Sequence, residues 1–217
     1  MRKLLSLCAL AVCFAIQPAT AQNDPKAKAV LDGVSKKVSS LKAMKANFAL
    51  KLSGGKGGKV TDSKSGTITL KGQKYRIALA GQEIICDAKT IWTYNKEAKE
   101  VQVNSFNPSE QGMSPAKLLT NFYDKEYRYS YKGERKEAGK QCDIIELTPL
   151  DKSKKVAKVE LAIDKAASMI VAGKYWEKNG NNYQWTVSNF TPNPNVPDTY
   201  FTWNTAEHKG VEVVDLR

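Results

Sequence analysis

The stretch Ala46-Asn47-Phe48-Ala49-Leu50-Lys51-Leu52, running into Ser53-Gly54-Gly55-Lys56-Gly57-Gly58-Lys59, decides how this chain is read. Ala46, Phe48, Leu50 and Leu52 recur at every second residue, the period of a strand with one buried face. The glycine-rich run marks a turn, and the alternation resumes at Ile68 and Leu70. Upstream the period is different. Asp24 and Pro25 form an N-cap and first-turn pair, and Ala27, Val30, Leu31, Val34, Val38 and Leu41 follow at steps of three and four residues. That spacing predicts one amphipathic helix, weakened at Gly33.

Downstream, short alternating runs continue to Val211 and Val213, separated by turns such as Asn179-Gly180-Asn181. About ten or eleven strands in succession predict an antiparallel meander, which must curl to hide one face. Ser114-Pro115 with Ala116, Leu118, Leu119 and Phe122 predicts a second, short helix between two groups of strands.

The chain has 217 residues, with 34 Lys and Arg against 22 Asp and Glu, a net charge of +12, one His and four Cys. Its mean hydropathy is −0.46. These figures exclude disordered, collagen-like and polytopic membrane classes. Arg2 and Lys3, an apolar stretch from Leu4 to Ile16, and Ala19-Thr20-Ala21 make residues 1–21 a cleavable secretory signal peptide. Removing 21 of 217 residues leaves 196, and loss of Arg2 and Lys3 takes the charge from +12 to +10. Residues 22–217 read as one domain, with no linker or repeat.

Cys8 and Cys13 leave with the leader, and neither follows the small residue that lipid attachment requires. Cys86 and Cys142 remain. Either they pair, closing a loop of about 57 residues worth roughly 4 kcal/mol, or they stay separate buried thiols.

Little in the chain supports catalysis. Gly54 to Lys59 is one residue short of a phosphate-binding loop, and Val60 stands where Ser or Thr should hold Mg2+. The single His208 sits in a polar turn. Glu97, Glu100, Asp151 and Asp164 are scattered among lysines rather than paired. No metal or cofactor is expected. The lysines are spread along turns, which speaks against nucleic acid and for a membrane surface or an acidic partner.

The order of elements and several local words resemble the LolA family of periplasmic lipoprotein carriers. They are Leu41-Lys42-Ala43-Met44-Lys45-Ala46-Asn47-Phe48, Ser65-Gly66-Thr67-Ile68-Thr69-Leu70 and Asp87-Ala88-Lys89-Thr90-Ile91-Trp92-Thr93-Tyr94-Asn95. Ser114 to Leu119, Glu146-Leu147-Thr148-Pro149 and Gly210-Val211-Glu212-Val213-Val214-Asp215 extend the likeness over nearly all of the mature chain.

The resemblance implies an incomplete, strongly curved antiparallel β-barrel with a helical lid over a hydrophobic cavity. It implies a periplasmic, monomeric carrier and no enzyme. Such a carrier takes acylated lipoproteins from an ATP-driven inner-membrane transporter and passes them to an outer-membrane receptor. A carrier or sensor of another lipid or acylated ligand is the alternative.

By the same likeness the cavity lining falls to Phe48, Leu50, Ile68, Leu70, Ile77, Trp92, Tyr94, Ile145, Leu147 and Leu161. The inner face of the lid falls to Val30, Leu31, Val34, Val38, Leu118 and Leu119. Two departures stand out. Where the family has an Arg-Pro pair whose Arg fastens the lid, this chain has Lys71-Gly72-Gln73-Lys74, and the turn glycine after Asp87 is replaced by Ala88.

Overall fold

Asp24 caps the first helix as its sequence predicts, its Oδ1 accepting from the amides of Lys26 at 2.8 Å and Ala27 at 3.2 Å. The helix, α1, runs Pro25–Ser39 and buries Ala27, Leu31 and Val34. The computed structural model describes residues 23–54, 59–107 and 123–217. The expected signal peptide and the expected Ser114–Phe122 helix, with Leu118 and Leu119, lie outside the described residues.

After α1 come β1 (Met44–Gly54), β2 (Lys59–Lys71), β3 (Lys74–Leu79), β4 (Gln82–Cys86), β5 (Thr90–Asn95) and β6 (Glu100–Ser105). The second group opens with α2, a single turn at Tyr123–Glu126, and continues through β7 (Tyr127–Glu137), β8 (Lys140–Pro149) and β9 (Val156–Asp164). It ends with β10 (Met169–Glu177), β11 (Asn182–Pro192), 3-10 turns at Asp198–Phe201 and Thr205–Glu207, and β12 (Glu212–Asp215).

All twelve strands form one curled open sheet, ordered β12-β6-β5-β4-β3-β2-β1-β11-β10-β9-β8-β7. The expected single meander is therefore two meanders, β1 to β6 and β7 to β11, joined where β1 pairs with β11. Among the described residues there are twelve strands rather than the expected ten or eleven, and β12 lies parallel to β6. That parallel pair exists because residues 193–211 run back across the outside of the sheet before β12 begins. The expected strand at Phe201 and Trp203 belongs to this crossing segment.

The register sorts side chains onto two faces. Met44, Ala46, Phe48 and Leu50 on β1 lie opposite Leu70, Ile68, Gly66 and Lys64 on β2, and Ile68 lies opposite Ile77. This concave face also carries α1, which packs over β7 to β10 against Tyr127, Tyr129, Ile145, Leu147, Val159 and Leu161. A bulge keeps β11 in phase. Lys45 pairs with Thr191 and Asn47 with Ser188, so two β11 residues oppose Ala46, and Asn189 adopts φ 51°. The extra residue lets Phe190 follow Val187 on the concave side.

The convex face of β3 to β6 is covered by the returning C-terminal segment. Arg76 pairs with Glu83 at 2.8 Å and donates to the Tyr200 carbonyl at 3.0 Å, and Phe201 is fully buried. Lys71 and Lys74, which replace the family's Arg-Pro, both grip Asp198 at 2.8 Å, and their two ammonium groups hold its carboxyl down to about 2. They fasten the C-terminal segment, not α1.

Cys86 and Cys142 are free, buried thiols. They belong to β4 and β8, seven strand steps apart in the sheet, far beyond the roughly 7 Å Cα separation a disulfide can span.

Candidate ligand cavity

The half of the concave face that α1 leaves uncovered holds a cavity of about 390 Å3, within the roughly 300–1,000 Å3 of small-molecule sites. From β1 come Met44, Ala46, Phe48 and Leu50, and from β2 Ile68 and Leu70. Ile77, Leu79 and Ile84 follow on β3 and β4. Met169, Ile170 and Tyr175 of β10 and Tyr183, Trp185, Val187 and Phe190 of β11 form the opposite wall. Met44 to Leu50 alone spans six residue steps, about 20 Å of strand.

One glycine lets an aromatic ring lie over the sheet, and another admits a close backbone approach. A Cβ on Gly173 would sit 2.1 Å from Cζ2 of Trp185, its direct cross-strand partner, whereas one on Gly66 would collide first with the Ala78 carbonyl oxygen at 2.1 Å and only then with Phe48 Cζ at 3.1 Å. Lying flat, Trp185 reaches the core under α1 while still lining the cavity; Tyr175 and Ile170 do the same. These three are the wall between the filled and the open half. Tyr175 stacks on Tyr183 with centroids 4.4 Å apart, and burial, with Tyr183 beside it, pushes its hydroxyl far above the ordinary range.

One end of the cavity is closed. Met44, Leu70, Tyr75, Ile77, Cys86 and Met169 are buried together there, with Leu41 and Phe106 packed against them. Burial pushes the Cys86 thiol up, so it stays neutral. At the other end Leu50, Tyr175, Tyr183 and Trp185 are only half-buried. Beyond them the concave face turns charged, where Lys64 stands directly opposite Leu50 and Asp62 opposite Leu52.

Of the ten residues assigned to the lining from sequence, Phe48, Leu50, Ile68, Leu70 and Ile77 line this cavity. Ile145, Leu147 and Leu161 are elsewhere on the same concave face, in the core sealed by α1. Trp92 and Tyr94 are on the convex face. The register sets Trp92 beside Ile85 and Val103, in phase with Arg76, while Thr93 takes the concave position opposite Ile84. Tyr94 packs instead on Trp203, with centroids 5.0 Å apart, and on His208 at 5.2 Å. A one-residue change of parity exchanges the two faces.

Sequence reasoning missed the entire β10–β11 wall. The alternation Tyr183/Trp185/Val187 was its signal, and Gly173 opposite Trp185 shows only once the register is known.

The lid residues Leu31 and Val34 are buried beneath α1, with Val30 and Val38 packed beside them, and none of the four lines the cavity. Polar contacts fasten the helix. Asp24 Oδ2 accepts from the Tyr131 amide at 2.9 Å, and Tyr123 donates its hydroxyl to Asp32 at 2.7 Å. Lys28 pairs with Asp32 at 2.9 Å and Asp124 at 3.5 Å. The Tyr123 and Lys28 bonds hold the Asp32 carboxyl below its usual range.

His208 stacks on Trp203 at 3.7 Å, with Nδ1 2.8 Å from the Asn204 carbonyl. Among the described residues no group of three or more His, Cys, Asp or Glu side chains could hold a metal.

A curled sheet with a helix on its concave face and a lipophilic cavity beside it matches a known family over most of the chain. The description "Outer membrane lipoprotein carrier protein LolA" fits residues 39–204. The chain belongs to the LolA family. No curated protein sequence matches this LolA-family chain. Among solved structures it is similar to an uncharacterized conserved protein from Thermus thermophilus, with a TM-score of 0.60 at 13% identity, covering 88% of this chain and 99% of that one. It is also similar to the lipoprotein LppX of Mycobacterium tuberculosis, with a TM-score of 0.52 at 14% identity, covering 81% and 99% respectively. At these identities the structural likenesses show the LolA-like fold.

Proposed function

We propose that this protein is a periplasmic carrier that shields the acyl chains of lipoproteins between the inner and outer membranes. The observation that carries the reading is the cavity, whose lining among the described residues, from Met44 to Phe190, is apolar except for the hydroxyls of Tyr175 and Tyr183. Leaving an acyl chain of some 16 carbons in water costs on the order of 12 kcal/mol, at about 0.8 kcal/mol per CH2. Only an apolar enclosure offsets that. Phe48, Leu50, Ile68, Leu70 and Ile77 contact the chain, joined by the β10–β11 wall. The role is transport without catalysis, and the partners are a releasing transporter and an outer-membrane receptor.

The test is release. Inner membranes carrying an acylated lipoprotein are incubated with the purified protein, and the soluble fraction is assayed for a complex. A protein that cannot keep the lipoprotein in aqueous solution sinks the reading.

A second reading keeps the cavity and changes the cargo to another acylated ligand. It is favoured by Lys71 and Lys74, which hold Asp198 where the family's Arg fastens the lid. Native mass spectrometry of protein taken from its host separates the two by the mass of the bound species.

A further inference from the structure

The cavity is a narrow bore. Met44 to Leu50 sets its length at about 20 Å of strand, somewhat more than the roughly 15 Å that the chains of one leaflet occupy in a bilayer. Spread along that length, a volume of about 390 Å3 gives a section of about 20 Å2, the width of a single hydrocarbon chain whose neighbours sit about 4 Å away. Counted another way, the same space holds about 13 methylene-sized groups, each taken at roughly the 30 Å3 of a water molecule in the liquid.

Its polarity is graded from end to end. The register sets the lining in rows, with Met44 beside Leu70, Ala46 beside Ile68 and Ile77, Phe48 beside Val187, and Leu50 beside Trp185. The outermost row joins Tyr183, opposite Leu52, to Tyr175. These two share one hydrogen bond, which leaves the second hydroxyl proton for a ligand. Among the residues buried together at the closed end only Tyr75 and Cys86 carry a side-chain polar atom, and they are engaged with each other. Cys86 Sγ also accepts from the Ala88 amide at 3.4 Å. A polar head at that end loses its water without gaining a partner, whereas at the tyrosine row it meets a hydroxyl and the solvent beyond.

We propose that the cavity encloses one acyl chain at a time, entered tail-first, with the methyl end against Met44, Ile77 and Met169 and the carbonyl end at Tyr175 and Tyr183. The proposal rests on the carrier reading and narrows its cargo. One chain of about 14 carbons fills the site, and any further chain of the same ligand stays outside the bore.

Chain length tests the capacity. Saturated fatty acids of increasing length are titrated into the purified protein and followed by calorimetry. One molecule should bind per protein, with affinity rising about fourfold per methylene and levelling off near tetradecanoate, where added carbons project into water. Ala46→Leu puts three more carbons in the inner part of the bore, opposite Ile68, and should bring that plateau down to about undecanoate. Bromine tests the direction. Trp185 is the tryptophan of the lining and stands in its outer part, opposite Leu50. Tetradecanoate brominated beside its carboxyl should quench more of the tryptophan fluorescence than tetradecanoate brominated at its methyl end.

Two or more chains bound per protein, or affinity that keeps rising past hexadecanoate, overturns the single-chain capacity. Equal quenching by both bromides, or stronger quenching from the methyl end, overturns the tail-first direction, as does a loss in Ala46→Leu that is the same at every length. Each of these failures leaves the carrier reading standing, because a chain is still bound. Absence of binding at any length overturns the carrier reading beneath the proposal.

Discussion

The concave face divides into two halves with similar residues and opposite fates. Over β7 to β10, Ile145, Leu147, Val159 and Leu161 meet Ala27, Leu31 and Val34 of α1 and form a closed core. Over β1 to β4 and β11, Phe48, Leu50, Ile68 and Ile77 line a cavity that no described residue fills. Both halves alternate with period two and both use branched aliphatic and aromatic side chains. The difference lies in what stands opposite: α1 lays Ala27, Leu31 and Val34 along one half and reaches the other only with Val38, which packs at its closed end. A filled half gives stability, the half with the cavity is the one the carrier reading assigns to binding, and the wall of Ile170, Tyr175 and Trp185 stands between them.

The largest test asks whether the halves really differ in energetics. Leu147 and Leu161 are 0% and 1% exposed. Truncating either to Ala should cost about 2–5 kcal/mol by urea denaturation, through lost burial and a new cavity, and leave fatty-acid affinity near wild type. Ile68→Ala in the open half enlarges a space that already exists, so it should cost below about 1.5 kcal/mol while weakening the bound fatty acid. Equal stability costs in the two halves would break the distinction.

The wall comes next. Gly173→Ala places a methyl against three atoms of the Trp185 ring, between 2.1 and 2.6 Å, so the ring must leave its seat. A cost of about 1–3 kcal/mol is expected from overpacking, with altered Trp fluorescence and a changed fatty-acid stoichiometry. A variant with wild-type fluorescence and binding would show that Trp185 is not the divider.

These two tests also mark how far the sequence could be read. The family likeness assigned Phe48, Leu50, Ile68, Leu70 and Ile77 to the lining, and they line the cavity because each lies on a strand whose other face is largely polar. It could not say which inward residues α1 would cover, since Ile145 and Leu161 carry the same local pattern. Trp92 and Tyr94 mislead for another reason. The C-terminal segment covers the convex face of β5, so both faces of that strand are partly buried and alternation no longer reports the inside. The Asn189 bulge, which brings Phe190 into the cavity, leaves no apolar signal at all. The helix cap at Asp24 and Pro25 was legible because its determinants are local.

The closed end of the open half offers a smaller effect. Ala88 follows Asp87 in the β4–β5 turn and adopts φ 75°, a left-handed conformation that costs a residue with a Cβ roughly 1–2 kcal/mol. Asp87 Oδ1 holds the turn by accepting from the amides of Lys89 at 2.8 Å and Thr90 at 2.7 Å. Ala88→Gly restores the family's residue and should stabilise the protein by about 1 kcal/mol, less the extra freedom glycine has in the unfolded chain. A thermal midpoint at or below wild type would remove strain as the explanation.

The smallest effect concerns the polar fastening of α1 over the filled half. Asp32 accepts from Tyr123 and pairs with Lys28, and both hold its carboxyl below the ordinary 3.8. A carboxyl whose folded value is depressed stabilises the fold above pH 3.8, and that stabilisation is lost as the pH falls through the lower folded value. Asp24, lowered chiefly by the Tyr131 amide, acts in the same direction. Because half of the Asp32 side chain is exposed, 49%, solvent screening holds its share well under 1 kcal/mol. Asp32→Asn should therefore lower the urea midpoint slightly at pH 5, and the difference from wild type should shrink as the pH falls through the depressed folded value. Fatty-acid affinity at pH 5 should not move, since no α1 side chain lines the cavity. If affinity falls along with stability, the helix shapes the cavity after all, and the two halves act as one.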